Sequence, residues 1–224
     1  MTQSVVIVGN SIAAEVMHQL ITNDNRYEVK AFASDSEYIS VDTINGIPVV
    51  DIGNLSKKFD MSNVSLILAV GYRDLNKVRE NLFNRLKSMG FTIETYVHPE
   101  AKLLSSIPVG EGSVIMPNAV IEPFVSIGTN TVVWSNCLIG HHSTLEKNCW
   151  IAASNVLAGE VTIKDNCFLG VGVVVSYKVT IQRNNIIGAG SLVSRCTKEN
   201  EVYLSRSGEK HRFDSQNYAK YYLK

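Results

Sequence analysis

From residue 103 onward, every sixth position of the chain is an aliphatic hydrophobe: Leu103, Val109, Ile115, Ile121, Ile127, Val133, Ile139, Leu145, Ile151, Leu157, Ile163, Leu169, Val175, Ile181, Ile187 and Val193. The phase never breaks. A fixed period of this kind is the signature of a coil built from repeats, and it constrains the fold more than any other feature of the chain. Each hexad is expected to form one flat strand and a corner, with its aliphatic side chain pointing inward onto equivalents in neighbouring coils. Three hexads close a triangular turn, so the repeat predicts about five coils of a left-handed parallel β-helix, a prism roughly 24 Å tall at the usual spacing between strands. The general right-handed crossover preference does not apply to such a coil.

Positions four beyond each aliphatic are mostly small or compact, as in Ser113, Ala119, Thr131, Cys137, Ser143, Cys149, Asn155, Cys167 and Ser191. They are expected to fill tight corners. Positions one beyond include Gly110, Gly128, Gly140, Gly170 and Gly188, read as supplying unusual corner dihedrals. Three of the four cysteines (Cys137, Cys149, Cys167, but not Cys196) fall on the inward small position. Core packing as free thiols explains them, and their spacing matches no zinc pattern.

The first hundred residues read differently. Ser4-Val5-Val6-Ile7-Val8-Gly9 is a buried strand ending in a tight turn, followed by a helix over Ser11 to Leu20 with Ser11 as its cap. Tyr27 to Ala33 is a second strand, Gly46 to Val50 a short extended piece, and Val64 to Val70 a third buried strand. Asp74 to Met89 is an amphipathic helix stopped by Gly90, and Phe91 to Val97 a further strand. The order predicts a small α/β Rossmann-like sheet. The domains are then expected at 1–98, 99–196 and, for a capping tail, 197–224. Gly9-Asn10-Ser11-Ile12-Ala13-Ala14 keeps one glycine of a dinucleotide fingerprint, which makes it weak for a dinucleotide and more suited to a sugar or phosphate at a helix N-terminus; a plain strand-to-helix turn is the alternative. Open parallel sheets bind ligands at the carboxyl ends of their strands, which makes Gly9, Asn10, Ser11, Asp35, Gly71, Tyr72 and Arg73 the candidate substrate-binding residues.

Lys and Arg number 21 against 21 Asp and Glu. Zero net charge argues against a nucleic-acid binder built on a basic face and against attachment to acidic lipid by charge. No apolar run is long enough for a membrane span, and Met1-Thr2-Gln3-Ser4 has no basic leader region, so a cytoplasmic location is expected.

A Rossmann-like half followed by phase-perfect hexads resembles the sugar acyltransferases of bacterial surface-glycan pathways. These include sialic acid O-acetyltransferases, the UDP-4-amino-sugar N-acetyltransferase of bacillosamine synthesis and GDP-perosamine N-acetyltransferase. The resemblance rests on the Val6-Ile7-Val8-Gly9 opening, the hexads, Ile139-Gly140-His141-His142-Ser143, Asn166 to Gly172, Ile187 to Ser191 and Val202-Tyr203. It implies a homotrimer of parallel prisms with acetyl-CoA between neighbours, no metal, and a nucleotide sugar held mainly by the N-terminal half. A histidine acts as general base, with no acyl-enzyme, and aligns here with His141; His142 is the rival. The resemblance also implies that the Gly159 N–H faces the thioester oxygen, and that Gly172, Ala189 and Gly190 line the pantetheine groove.

The chain departs from the family in three places. The carboxylate that usually follows the base is His142; Glu160, one coil above it, and Glu122, below Gly140, are candidate substitutes or ordinary corner acids. A second family histidine is here Trp150, and an asparagine is Trp134. The tryptophans either wall the site against the cofactor or anchor a subunit interface. Arg206, Lys210 and Arg212 form a basic cluster suited to CoA phosphates or simply to solvent, and Glu199 to Leu204 is expected to cap the prism edge.

The expected activity is acetyl-CoA-dependent N-acetylation of a nucleotide-linked amino sugar for surface-glycan synthesis, such as lipopolysaccharide O-antigen or capsule, with sugar O-acetylation the close alternative. A non-catalytic sugar-nucleotide-binding protein is the distant one. A zinc carbonic anhydrase on the same prism would need three converging imidazoles, and only His141 and His142 lie in the repeat; His18, His98 and His211 fall outside it.

Overall fold

The computed structural model describes residues 2–222. Strand β1 (Gln3–Val8) buries Val5 and Ile7 on one face and Val6 and Val8 on the other, as a parallel sheet covered on both sides requires. It lies between β2 (Tyr27–Ser34) and β5 (Val64–Leu68), both parallel to it. β3 (Thr43–Ile44) and β4 (Ile47–Asp51) form a hairpin, and β4 pairs in parallel with β2. The sheet order is β3-β4-β2-β1-β5. Helix α1 (Ile12–Asp24) runs a turn beyond its expected end because Ala14, Met17 and Ile21 place one buried stripe against the sheet. It stops at Asn25, whose φ of 59° is left-handed. A short helix, α2 (Leu55–Lys58), buries Leu55 on the opposite face.

Two sequence expectations need correction. Helix α3 spans Lys77–Ser88, not Asp74 to Met89, because Asp74, Leu75 and Asn76 all have positive φ. The cause is tertiary: the buried Asn76 amide donates to the Cys167 carbonyl oxygen in the second half of the chain (3.2 Å). Nor is Phe91 to Val97 one strand. Ile93 bridges Leu66 in the N-terminal sheet, whereas Tyr96–Val97 pairs with Val114–Ile115.

The hexads form a three-sided left-handed prism of parallel rungs. Inward aliphatics from Ile115 to Val193 are essentially dry, each contributing about 1.5–3 kcal/mol by burial. One face carries seven rungs, from Tyr96–Val97 to Val202–Tyr203. The first rung keeps the hexad phase, with Val97 eighteen residues before Ile115, whereas Val202–Tyr203 comes from a segment out of phase; both make this face taller than the run from Leu103 to Val193 predicts. The second face carries six rungs and the third four. On the third face Pro108 stands where a fifth rung would pair with Ser126; it has no N–H to donate, and the Ser105 hydroxyl takes the Val125 carbonyl instead (2.8 Å).

The outward residues give the faces different fates. Val114, Val132 and Trp150 on the seven-rung face join Val5, Ile7, Met17 and Phe32 in one shared core, so this face is docked against the N-terminal domain. The four-rung face presents Ser126, Thr144, Thr162 and Thr180. The six-rung face presents Val120, Leu138, Val156, Val174 and Leu192; Val156 is 39% exposed, Val174 41% and Leu192 67%.

The corners correct a third expectation. From Val109 to Ile187 the left-handed residue lies three beyond each aliphatic, and asparagine is its commonest type: Asn118, Asn130, Asn136, Asn148, Asn166 and Asn184. The glycines one beyond do a different job. A Cβ at Gly140 would stand 2.6 Å from the Ala158 carbonyl carbon, and one at Gly128 would stand 2.8 Å from the Glu146 carbonyl carbon. Glycine is there to let adjacent coils approach.

Candidate active site

A cleft of about 280 Å³ opens over the carboxyl ends of β1 and β2 and the segment after β5, lined in part by Gly9, Asn10, Ser11, Asp35, Tyr38, Gly71 and Arg73. Six of the seven residues expected for substrate binding therefore share one cavity. Gly9 has φ +133°, and a Cβ on it would stand 2.6 Å from the Ala69 carbonyl oxygen. Ser11 occupies the N-cap position of α1, but its hydroxyl makes no capping bond. The positive end of the helix dipole is at this rim, where it favours an anionic group. The Asn10 amide donates to the Tyr38 carbonyl oxygen (2.6 Å). Asp35 is held by Arg85 of α3 at 2.8 Å. Sequence reasoning missed Arg85 and Tyr38; Arg85 arrives from fifty residues away and carries no motif.

Tyr72 turns the other way. Its ring packs on Phe168 (4.5 Å) and Trp150 (5.2 Å) of the docked face. With Trp134, Val171 and Ala189 they line a second cleft of about 420 Å³ between the domains. Trp134 and Trp150 lie 5.7 Å apart, and both also pack in the core shared with the N-terminal domain. Gly71-Tyr72-Arg73 separates the two clefts, with Arg73 in the first and Tyr72 in the second.

The polar seam that fixes the domains escaped the sequence reading altogether. Arg79 is 1% exposed. It donates to Asn76 Oδ1, to Asn130 Oδ1 and its carbonyl oxygen, and to the Cys149 carbonyl oxygen, and it lies 5.3 Å from the Trp150 ring. Burial pushes its pKa down to about 10, so it remains a cation at neutral pH. Glu80 accepts from the side-chain amides of Asn148 (2.7 Å) and Asn166 (2.9 Å).

His141 and His142 sit at the corner between the apolar and threonine faces, both exposed. Pro123 lies one coil below His141 and Gly159 one coil above. A Cβ on Gly159 would stand 2.6 Å from both Cε1 and Nε2 of His141. The bare backbone there is what admits the imidazole. Among the described residues the Gly159 N–H has no protein acceptor, whereas its carbonyl oxygen accepts from the Lys178 N–H. His142 takes the left-handed corner position with φ 59°, and the two Nδ1 atoms are 3.1 Å apart.

Neither of the two carboxylates expected near the pair bonds to an imidazole. Glu122 Oε2 accepts from the His141 backbone N–H (2.8 Å). Glu160 accepts from the Tyr177 hydroxyl and lies 3.6 Å from Lys178 Nζ. The Tyr177 hydrogen bond, then the lysine, hold its carboxyl below the ordinary range. Glu160 hydrogen-bonds to neither imidazole.

Gly172, Ala189 and Gly190 lie on the other edge of the apolar face, at its corner with the docked face. Gly172 and Gly190 have φ near 69° and donate to the Ala153 and Val171 carbonyl oxygens. One chain does not bring these residues to His141. Arg206 and Lys210 are exposed and make no ion pair among the described residues, while Arg212 lies over Phe213 (4.8 Å). The tail's helix α4 (Ser215–Tyr222) buries no residue. No group of three His, Cys, Asp or Glu among the described residues is arranged to hold a metal ion.

Two family models match the chain: the PglD N-terminal domain over residues 4–86 and the bacterial transferase hexapeptide over residues 109–141. Comparison with curated proteins found no significant match. Among solved structures, the acetyltransferase domain of PglB from Neisseria gonorrhoeae superposes with a TM-score of 0.82 at 21% identity, covering 91% of this chain and 97% of that one. A mutant of perosamine N-acetyltransferase from Caulobacter crescentus, in complex with CoA and GDP-perosamine, gives 0.80 at 26% identity, covering 92% and 95%. WeeI from Acinetobacter baumannii gives 0.80 at 19%, covering 91% and 97%.

Proposed function

We propose that this chain, which matches the sugar acyltransferase family in both of its halves, transfers the acetyl group of acetyl-CoA to the amine of a nucleotide-linked sugar. The observation that carries the reading is the pairing of an exposed imidazole with bare backbone: His141 Nε2 stands beside Gly159, whose N–H has no acceptor among the described residues. The amine nitrogen attacks the thioester carbonyl carbon while His141 Nε2 takes its proton. The Gly159 N–H is the donor for the oxyanion that forms. Collapse breaks the C–S bond, and the proton passes to the departing thiolate. The nucleotide lies in the cleft at Gly9, Ser11 and Arg73, and the sugar extends past Tyr72.

The acceptor is read as an amine because perosamine N-acetyltransferase is alike over 92% of this chain at 26% identity. O-acetylation would use the same base. Acetyl-CoA is proposed to run along the apolar face between two copies, with His141 from one and Gly172, Ala189 and Gly190 from the next. A homotrimer buries this face on every protomer. No helix among the described residues is long and apolar enough to cross a membrane, and a cytoplasmic location, where acetyl-CoA is at hand, goes with the reading.

The test is free-thiol release from acetyl-CoA with UDP-, GDP- and dTDP-amino sugars. His141→Ala is expected to lower kcat by about 10²–10⁴-fold, the usual worth of a general base. Undiminished turnover in that variant would falsify the assignment of the base.

A further inference from the structure

We infer that His142 is a positioning residue whose Nδ1 accepts the Nδ1–H of His141 and thereby keeps His141 Nε2 unprotonated and aimed at the acceptor. The inference rests on His141 being the base. Its grounds are geometric. The Nδ1 atoms are 3.1 Å apart, and the rings meet nearly at right angles, at 86°. His142 is fixed from two further sides. Its backbone is held left-handed by its N–H bond to the Pro123 carbonyl oxygen (3.2 Å), and its ring lies 4.6 Å from that of Phe124.

A neutral imidazole has one N–H and one lone pair. Two neutral arrangements of the pair therefore satisfy the contact, and only one leaves His141 Nε2 free to take a proton. The other groups facing this corner do not make the choice. The Glu122 carboxylate is bound to the His141 backbone, the Glu160 carboxylate to Tyr177 and Lys178. His142 is the only side chain among the described residues that hydrogen-bonds to the His141 ring. When Nε2 takes the substrate proton, the imidazolium keeps donating through Nδ1–H to the His142 lone pair. The cation is thus met by a hydrogen bond and not by an opposite charge.

Two substitutions separate positioning from packing. His142→Gly removes the ring without backbone strain, since glycine accepts φ 59°. His142→Glu is compatible with the corner, because Glu160 adopts φ 59° at the equivalent place one coil above. His142→Gly is expected to lower kcat by about 10–100-fold, as misorientation of a catalytic group does, with KM for both substrates changed less than about twofold. His142→Glu is expected to recover most of that loss and to move the acidic limb of kcat/KM to higher pH by about one unit, because a nearby anion favours imidazolium. An independent readout needs no substrate: ¹⁵N spectra of the imidazoles above pH 8 should show His141 as the Nδ1–H tautomer, lost in His142→Gly. Wild-type kcat in His142→Gly, an unmoved limb in His142→Glu, or an Nε2–H His141 in the wild type would each overturn the inference. If His141→Ala is inactive while His142→Gly keeps full turnover, the pair fails and the base survives. Turnover by His141→Ala removes both.

Discussion

A methyl group at Gly159 would occupy the space of the His141 ring edge, 2.6 Å from Nε2. Gly159→Ala is therefore expected to displace the imidazole and lower kcat by about 10–100-fold, the scale of a misplaced reacting group. The fold should survive, because Gly159 has no left-handed φ; an unchanged melting temperature with unchanged kcat would sink the idea. The sequence made this glycine visible by its place one coil above His141, but it did not show that the glycine serves the ring. The inward small positions carry a similar lesson. Cys137, Cys149 and Cys167 were legible as core residues, and all three are buried. The structure adds that each Sγ contacts a carbonyl oxygen fifteen residues ahead, at 3.0, 3.1 and 3.0 Å. Ser113, Thr131 and Ser143 do the same through hydroxyls. Small size was readable from the repeat, whereas a shared hydrogen-bond partner required knowing which coil lies above. Desolvation raises the Cys137 pKa to about 11, so that thiol stays protonated and a poor nucleophile near neutrality.

Among the elements, α3 departs most from its sequence pattern. Its amphipathic period was plain, yet it begins three residues late and buries an arginine. Both facts have one cause: this edge of the prism presents asparagine amides and backbone carbonyls, of Asn130, Asn148, Cys149, Asn166 and Cys167, that Asn76, Arg79 and Glu80 satisfy. Arg79→Met keeps most of the packing and removes the donors to Asn130 and Cys149. Stranded buried acceptors cost about 1–3 kcal/mol apiece, so the variant is expected to lose roughly 2–4 kcal/mol and melt about 5–15 °C lower. A melting temperature within a degree of wild type would show that the seam does not hold α3 to the prism. The strand rungs behaved as the repeat required, except where Pro108 removed one. That gap was open to sequence reading, because proline cannot donate to a ladder.

At the scale of the whole molecule, the three faces of the prism decide what it can assemble into. The N-terminal domain covers one face, serine and threonine hydrate another, and aliphatic side chains line the third with His141 on one edge and Gly190 on the other. Val174→Asp places a charge on the third face, on the rung between Val156 and Leu192. It is expected to convert the proposed trimer to monomers by sedimentation equilibrium and to abolish the proposed thiol release, with the β-rich circular dichroism unchanged. A trimeric, active Val174→Asp protein would remove this face from the interface. The amino-acid sequence by itself determined the prism, its corner spacing, the Rossmann-like half and the strand-end residues of its cleft, because period and strand-to-helix order are local properties of the chain. It could not determine the Arg79 seam, the Arg85 partner of Asp35, the turning of Tyr72 onto Trp150, or the capture of Glu160 by Tyr177 and Lys178. Those contacts join segments whose separation in sequence carries no signal. They form only once the docked face meets the N-terminal sheet and one coil stacks on the next, where buried polar groups must find whatever partners the packing supplies.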